Sequence, residues 1–141
     1  ETPATDFRVG NFWAWHIKQD RAASLHEARV GLFARAEVIP PQIGLDHLLD
    51  KDEAQLVRDN YRNFLMAGVT GTGEIRGVPP GLVQRLIDAV SSSGDFSDID
   101  REVERYREME RTGLTDLALR VFNDPFDALR TIKKHVMPHF S

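Results

Sequence analysis

The chain of 141 residues is long enough for one hydrophobic core and short of a complete α/β barrel. Its formal net charge of −4, with Arg and Lys interleaved among Asp and Glu along Arg101–Arg111, argues against nucleic acid as a partner, because phosphate binding needs concentrated basic surface. The absence of cysteine excludes disulfides, thiolate catalysis and Cys-based metal sites, and the lack of a signal segment or a ~20-residue apolar run points to a cytoplasmic protein without a membrane anchor.

The first predicted element is a strand over Phe7–Ile17, where aromatic and β-branched residues occupy both alternating faces, as in a parallel strand buried on both sides. Asp20 offers an N-cap to a helix whose stripe is Ala22, Leu25, Ala28, Leu32, Phe33 and Ala36, stopped by Pro40-Pro41. Leu45, Leu48 and Leu49 suggest a short helix. Asp52 can cap another, carrying Leu56, Val57, Tyr61, Phe64 and Leu65. Gly68–Gly77 reads as an exposed loop, so residues 42–78 are expected to be a helical insertion with a Gly-rich loop.

Alternation resumes at Val78. Pro79-Pro80 opens a helix with Leu82, Val83, Leu86 and Ile87, followed by a short strand at Ala89–Ser92. Ser97 is placed to cap a long helix bearing Ile99, Val103, Tyr106 and Met109, with Gly113 at its C′ position. Leu114–Phe122 is the clearest strand. Asp124-Pro125 then starts a helix with Phe126, Leu129, Ile132, Lys133 and Val136 on its stripe. Residues 1–41 thus form one βα unit and residues 79–141 two more, in a single α/β domain whose strands pair in parallel.

The run GLTDLALRVFNDPFDALRTIKKHVMPHF beginning at Gly113 resembles the C-terminal signature of luciferase-like monooxygenases and F420-dependent methylenetetrahydromethanopterin-reductase relatives. The upstream run from Val78 to Met109 is similar to that family's preceding unit. Gly94-Asp95-Phe96-Ser97-Asp98-Ile99 stands where the family carries a Gly-Thr-Pro-Glu turn. The resemblance implies a partial (β/α)8 TIM barrel comprising its last three βα units, with the earlier units upstream of Glu1. It further implies FMN or coenzyme F420 as cofactor and a small-molecule substrate in the intact oxidoreductase. The isolated chain is then expected to be inactive.

Functional groups of parallel α/β sheets gather at the C-terminal ends of strands. That selects His16 and Lys18 after the first strand, Ser92, Ser93 and Gly94 after the second, and Arg120, near Asn123, on the third as cofactor- or substrate-binding candidates. An imidazole can meet a phosphate, hydroxyls before a helix start can hold an anion, and an arginine in an apolar strand needs a carboxylate, phosphate or solvent. Each has a bland alternative: an interfacial histidine, a capped turn, a salt bridge.

Gly71-Thr72-Gly73 with Gly77 lacks a nucleotide-loop spacing, and Asp95, Asp98 and Asp100 lack a calcium-loop spacing. His135 and His139 have no third ligand in the pattern, so no metal is expected.

Two further readings compete with the enzyme. One is an assembly module that self-associates or pairs with a separate N-terminal half, because three parallel strands leave open edges and apolar surface. The other is a doubly wound domain with a ligand crevice where the strand order reverses.

Overall fold

The computed structural model describes residues 8–33 and 48–140. Their architecture is mixed α/β, mostly helical, around a three-stranded parallel sheet. In chain order the elements are β1 (Gly10–Trp15), α1 (Arg21–Gly31), α2 (Lys51–Asp59), α3 (Tyr61–Val69), α4 (Pro80–Val90), β2 (Ser91–Ser92), α5 (Ile99–Arg111), β3 (Asp116–Arg120) and α6 (Pro125–His135). Single 3-10 turns precede α5 and follow α6. The expectations placed on Phe7, Ala36, Pro40-Pro41 and Leu45 lie outside the described residues.

β1 is central, and the sheet order is β2-β1-β3. Ala14 pairs with Ser91 on one side and with Arg120 on the other. Consecutive barrel strands would lie in the order β1-β2-β3, so this order differs from the sequential one expected. It is the order found in doubly wound sheets: the chain passes from β1 to β2 on one side, then crosses back over β1 to place β3 on the other. Two apolar clusters match that geometry. Ala28 of α1 and Leu32 at its C-cap join Val57, Phe64, Leu82 and Leu86 of α2, α3 and α4. Trp13, Trp15 and Ile17 instead join Val103 and Tyr106 of α5 and Ile132 of α6. Burying a side chain such as Phe64 or Leu86 stabilises by roughly 1.5–3 kcal/mol.

β1 is buried on both faces only from Trp13 onward; Gly10, Asn11 and Phe12 are exposed. The strand expected at Ala89–Ser92 shortens to Ser91–Ser92, because the helix opened by Pro80 runs through Val90. The expected single helix around Tyr61 breaks at Asn60, whose side-chain amide donates to the Leu56 carbonyl oxygen at 2.9 Å.

Three capping expectations shift. Asp50 caps α2 in place of Asp52, forming a capping box with Glu53. Asp95 accepts from the Ser97 N–H, leaving Ser97 inside the 3-10 turn that precedes α5. Asp124 makes no side-chain cap and sits in the left-handed region at φ 57°, while Pro125 keeps the N1 place expected of it. Ile132 on α6 and Val136 at its C-cap are buried, but Phe126 and Leu129 stay exposed.

Candidate functional site

The C-terminal ends of β1 and β3 meet where the strand order reverses. Along β1 and just past its end, alternation sends Trp13, Trp15 and Ile17 toward α5 and α6, and sends Ala14 and His16 toward α1. The β1–β3 ladder ends at the Ala14–Arg120 pair, and just beyond it the Phe122 ring stacks on His16 at 4.8 Å with 20° between planes. Beyond it, the Arg120 guanidinium lies 5.0 Å from the Phe122 ring centroid.

His16 is 2% exposed, and its Nδ1 lies 2.8 Å from Glu27 Oε1 on α1. Lys18 Nζ is 3.0 Å from Glu27 Oε2 and donates to the Asn123 carbonyl oxygen at 3.1 Å. Burial pushes the Glu27 carboxyl up, but the His16 hydrogen bond and the Lys18 ammonium outweigh it and hold the group below its ordinary range. The Lys18 charge is therefore engaged inside the fold. Arg120 is exposed and, among the described residues, forms no ion pair. It is the cation of this edge that remains available to an anion.

Strand-end position alone does not single out Glu27 or Phe122. The signal for Glu27 lies in α1: Ser24, Glu27 and Ala28 are its buried residues, and Ala22 of the predicted stripe is exposed. Polar residues occupy the face an apolar stripe was expected to fill. Leu32 keeps its predicted buried place.

Ser92, Ser93 and Gly94 occupy the neighbouring strand end, with different roles from those expected. The Ser92 hydroxyl is fully buried, donates to Glu102 Oε2 at 2.6 Å, accepts from Trp13 Nε1 at 2.8 Å and lies 2.6 Å from the Tyr106 hydroxyl. Glu102 is itself fully buried, within 3.0 Å of Arg101 and 3.3 Å of Arg105. Burial pushes the Tyr106 hydroxyl up, so it stays protonated as a network member.

Gly94 adopts φ 124° and donates its N–H to Ser24 Oγ at 2.9 Å, while its carbonyl oxygen accepts from the Lys18 N–H at 3.3 Å. A Cβ at Gly94 would collide with the Asp98 carboxylate. The Ser93 hydroxyl is buried and finds no hydrogen-bond partner among the described residues. With Ser92 and the Gly94 N–H already engaged, this turn does not fit a phosphate cradle. It is a structural seam between α1, β2 and α5.

Arg21 closes that seam: its Nε reaches Asp95 Oδ2 at 2.9 Å, and its second arm pairs with Asp98. No group of three or more His, Asp or Glu able to hold a metal occurs among the described residues, and no helix there is long and apolar enough to cross a membrane. His135 lies against Phe96 at 6.4 Å, and His139 approaches Arg107 at 3.5 Å; the two histidines have separate neighbours.

Comparison with family models, curated proteins and solved structures gives no match to this chain.

Proposed function

We propose that the C-terminal edge of β1 and β3 binds an anionic small molecule bearing a planar ring. The observation that carries this reading is the contact series Arg120, Phe122, His16, which sets a guanidinium free of ion pairs among the described residues against stacked rings at the strand-order reversal. Open parallel sheets bind ligands at such places because two adjacent loops diverge and leave a crevice. Arg120 would meet a carboxylate or phosphate with its planar fork. The Glu27 carboxylate fixes the His16 ring from behind, with Lys18 neutralising it.

A second reading keeps the luciferase-like resemblance: this chain is the C-terminal part of a flavin- or F420-dependent oxidoreductase, incomplete by itself. The observation favouring it is the segment from Gly113 to Pro138. Gly113 follows α5 at φ 103°, β3 comes next, and Pro125 opens α6, as the resemblance implies. In that reading the sheet belongs to a barrel completed by strands outside it, and the cofactor supplies hydride chemistry when bound. The two readings share one ligand class, because FMN and coenzyme F420 are both planar and anionic. The sequential barrel and the observed strand order do not coincide, which favours the doubly wound architecture.

Titration of the chain with FMN, coenzyme F420 and inorganic pyrophosphate, followed by fluorescence and calorimetry, tests the site. The expected result is weak binding of the ring-bearing ligands without turnover, reduced about tenfold or more in Arg120→Ala, the loss of one charge-assisted contact. Equal binding by Arg120→Ala, or no binding at saturating ligand, would remove the proposed site. Tight stoichiometric binding with turnover would overturn the view of an incomplete enzyme.

A further inference from the structure

β3 has one partner. It pairs with β1 along its whole length, and among the described residues no strand covers its other edge. The Asp116 N–H donates to the Val9 carbonyl oxygen at 3.1 Å, so it points toward β1. Backbone groups alternate sides along a strand, which turns the N–H and C=O groups of Leu117 and Leu119 to the open edge. Flanking that edge is an apolar groove of about 500 Å³, lined by Leu117 and Leu119 with Leu129, Met137 and Phe140. Leu129 is 53% and Met137 59% exposed. An edge with unpaired backbone and adjacent apolar surface is a template for another strand.

The sequence of β3 indicates which strand. It reads Asp116-Leu117-Ala118-Leu119-Arg120, which is self-complementary about Ala118. We propose that a second copy of this chain pairs its β3 with this one antiparallel about a twofold axis at Ala118, giving a continuous six-stranded sheet. In that register Asp116 stands opposite Arg120 of the second copy, at both ends. Leu117 stands opposite Leu119, and Ala118 opposite its own copy. Directly opposed residues share a face at about 4.5–5.5 Å between Cβ atoms, so the charges lie on the α1 side and the leucines on the groove side.

The same residues disfavour two alternative registers. A twofold at Asp116 would oppose two carboxylates, and one at Arg120 two guanidinium groups. Ala118 is small, and its neighbour on β1 is Phe12, which is 77% exposed on the same face. Two alanines at the axis leave a shallow floor over which both Phe12 rings can lean. The Asp116 carboxylate has Arg8 at 3.5 Å, an exposed pair that contributes little and yields readily to a new partner.

This proposal goes beyond the small-molecule reading, although both use Arg120. Edge pairing and anion binding compete for that guanidinium, so association is measured in the absence of ligand. Failure of the edge then stands apart from failure of the ligand site.

The experiment is sedimentation equilibrium of four chains: wild type, Asp116→Arg, Arg120→Asp, and the double exchange, with circular dichroism to establish that each is folded. The wild type is expected to dimerise. Each single variant opposes like charges at two positions, and its dissociation constant should rise about tenfold or more. The double exchange restores opposite charges in the same register and should restore the dimer. An equimolar mixture of the two single variants should associate. The two substituted positions then face each other with opposite charges, and the unchanged Arg120 of one chain faces the unchanged Asp116 of the other. A wild-type chain that stays monomeric at its solubility limit would overturn the proposal. So would single variants that dimerise like wild type, or a mixture that does not associate.

Discussion

Glu27 on α1 reaches across to His16 just past the end of β1, its Oε1 2.8 Å from the imidazole Nδ1, with both side chains almost fully buried. This contact and the Lys18 ion pair lock α1 to the central strand. A buried charge keeps its place only when its partners remain, and removing one leaves the others without compensation.

Glu27→Ala should therefore cost roughly 3 kcal/mol, within the range for breaking a buried pair. Glu27→Gln should cost less, because an amide can still accept from His16. Urea denaturation of the three chains tests the order. A Glu27→Ala midpoint equal to wild type would show that α1 is held by its apolar contacts alone.

Two of the depressed carboxyls, Glu27 and Asp95, shape the acid limb of stability. Glu27 is held below 4.5, so its contribution is complete above about that pH and is lost as pH falls through the folded value. Asp95 accepts from the Ser97 hydroxyl and backbone N–H and from Arg21, which lower it from 3.8 to about 2. Its contribution fades as pH drops across that interval. Urea midpoints measured through this range should fall on acidification, and the fall below pH 3.8 should be shallower in Asp95→Asn. An unchanged acid limb in that variant would mean that the Asp95 hydrogen bonds contribute nothing to folding.

Ser92→Ala separates a structural serine from a ligand-binding one. The change leaves Trp13 Nε1 and the Tyr106 hydroxyl without their shared partner in a buried space, while Glu102 Oε2 keeps Arg105 at 3.3 Å. Each unsatisfied buried group costs roughly 1–3 kcal/mol, so the loss should be on the order of 2–4 kcal/mol. Thermal or urea unfolding provides the measurement. Near-normal stability with weakened ligand binding would return Ser92 to the ligand site.

Gly68→Ala should reverse the usual sign of a helical glycine substitution. Alanine is ordinarily favoured by about 1 kcal/mol inside a helix. In α3, however, a Cβ at Gly68 would collide with the edge of the Phe33 ring. Overpacking of this kind costs roughly 1–3 kcal/mol, so Gly68→Ala should be net destabilising. In a Phe33→Ala background the same substitution should stabilise. A stabilising Gly68→Ala in the wild-type background would show that the ring moves aside at negligible cost.

Local patterns along the chain were enough to read the alternation of strands and helices and the parallel pairing that follows from it. The prolines at the starts of α4 and α6, the glycine after α5 and the Gly-rich connection after α3 were also legible there. These are local matters: proline fixes φ, glycine admits positive φ, and periodicity reveals which positions turn inward. Sequence also selected His16, Lys18 and Arg120, because strand ends are where parallel sheets expose their loops.

The place of β1 between β2 and β3 emerges only on folding, since periodicity identifies a buried face but not the neighbour covering it. The same reason hid Glu27, a charged residue on the inward face of α1, whose partners His16 and Lys18 lie just past the end of β1. Tertiary structure likewise turned Ser92 from a ligand candidate into the centre of a buried network, because Trp13, Glu102 and Tyr106 converge on it only after folding.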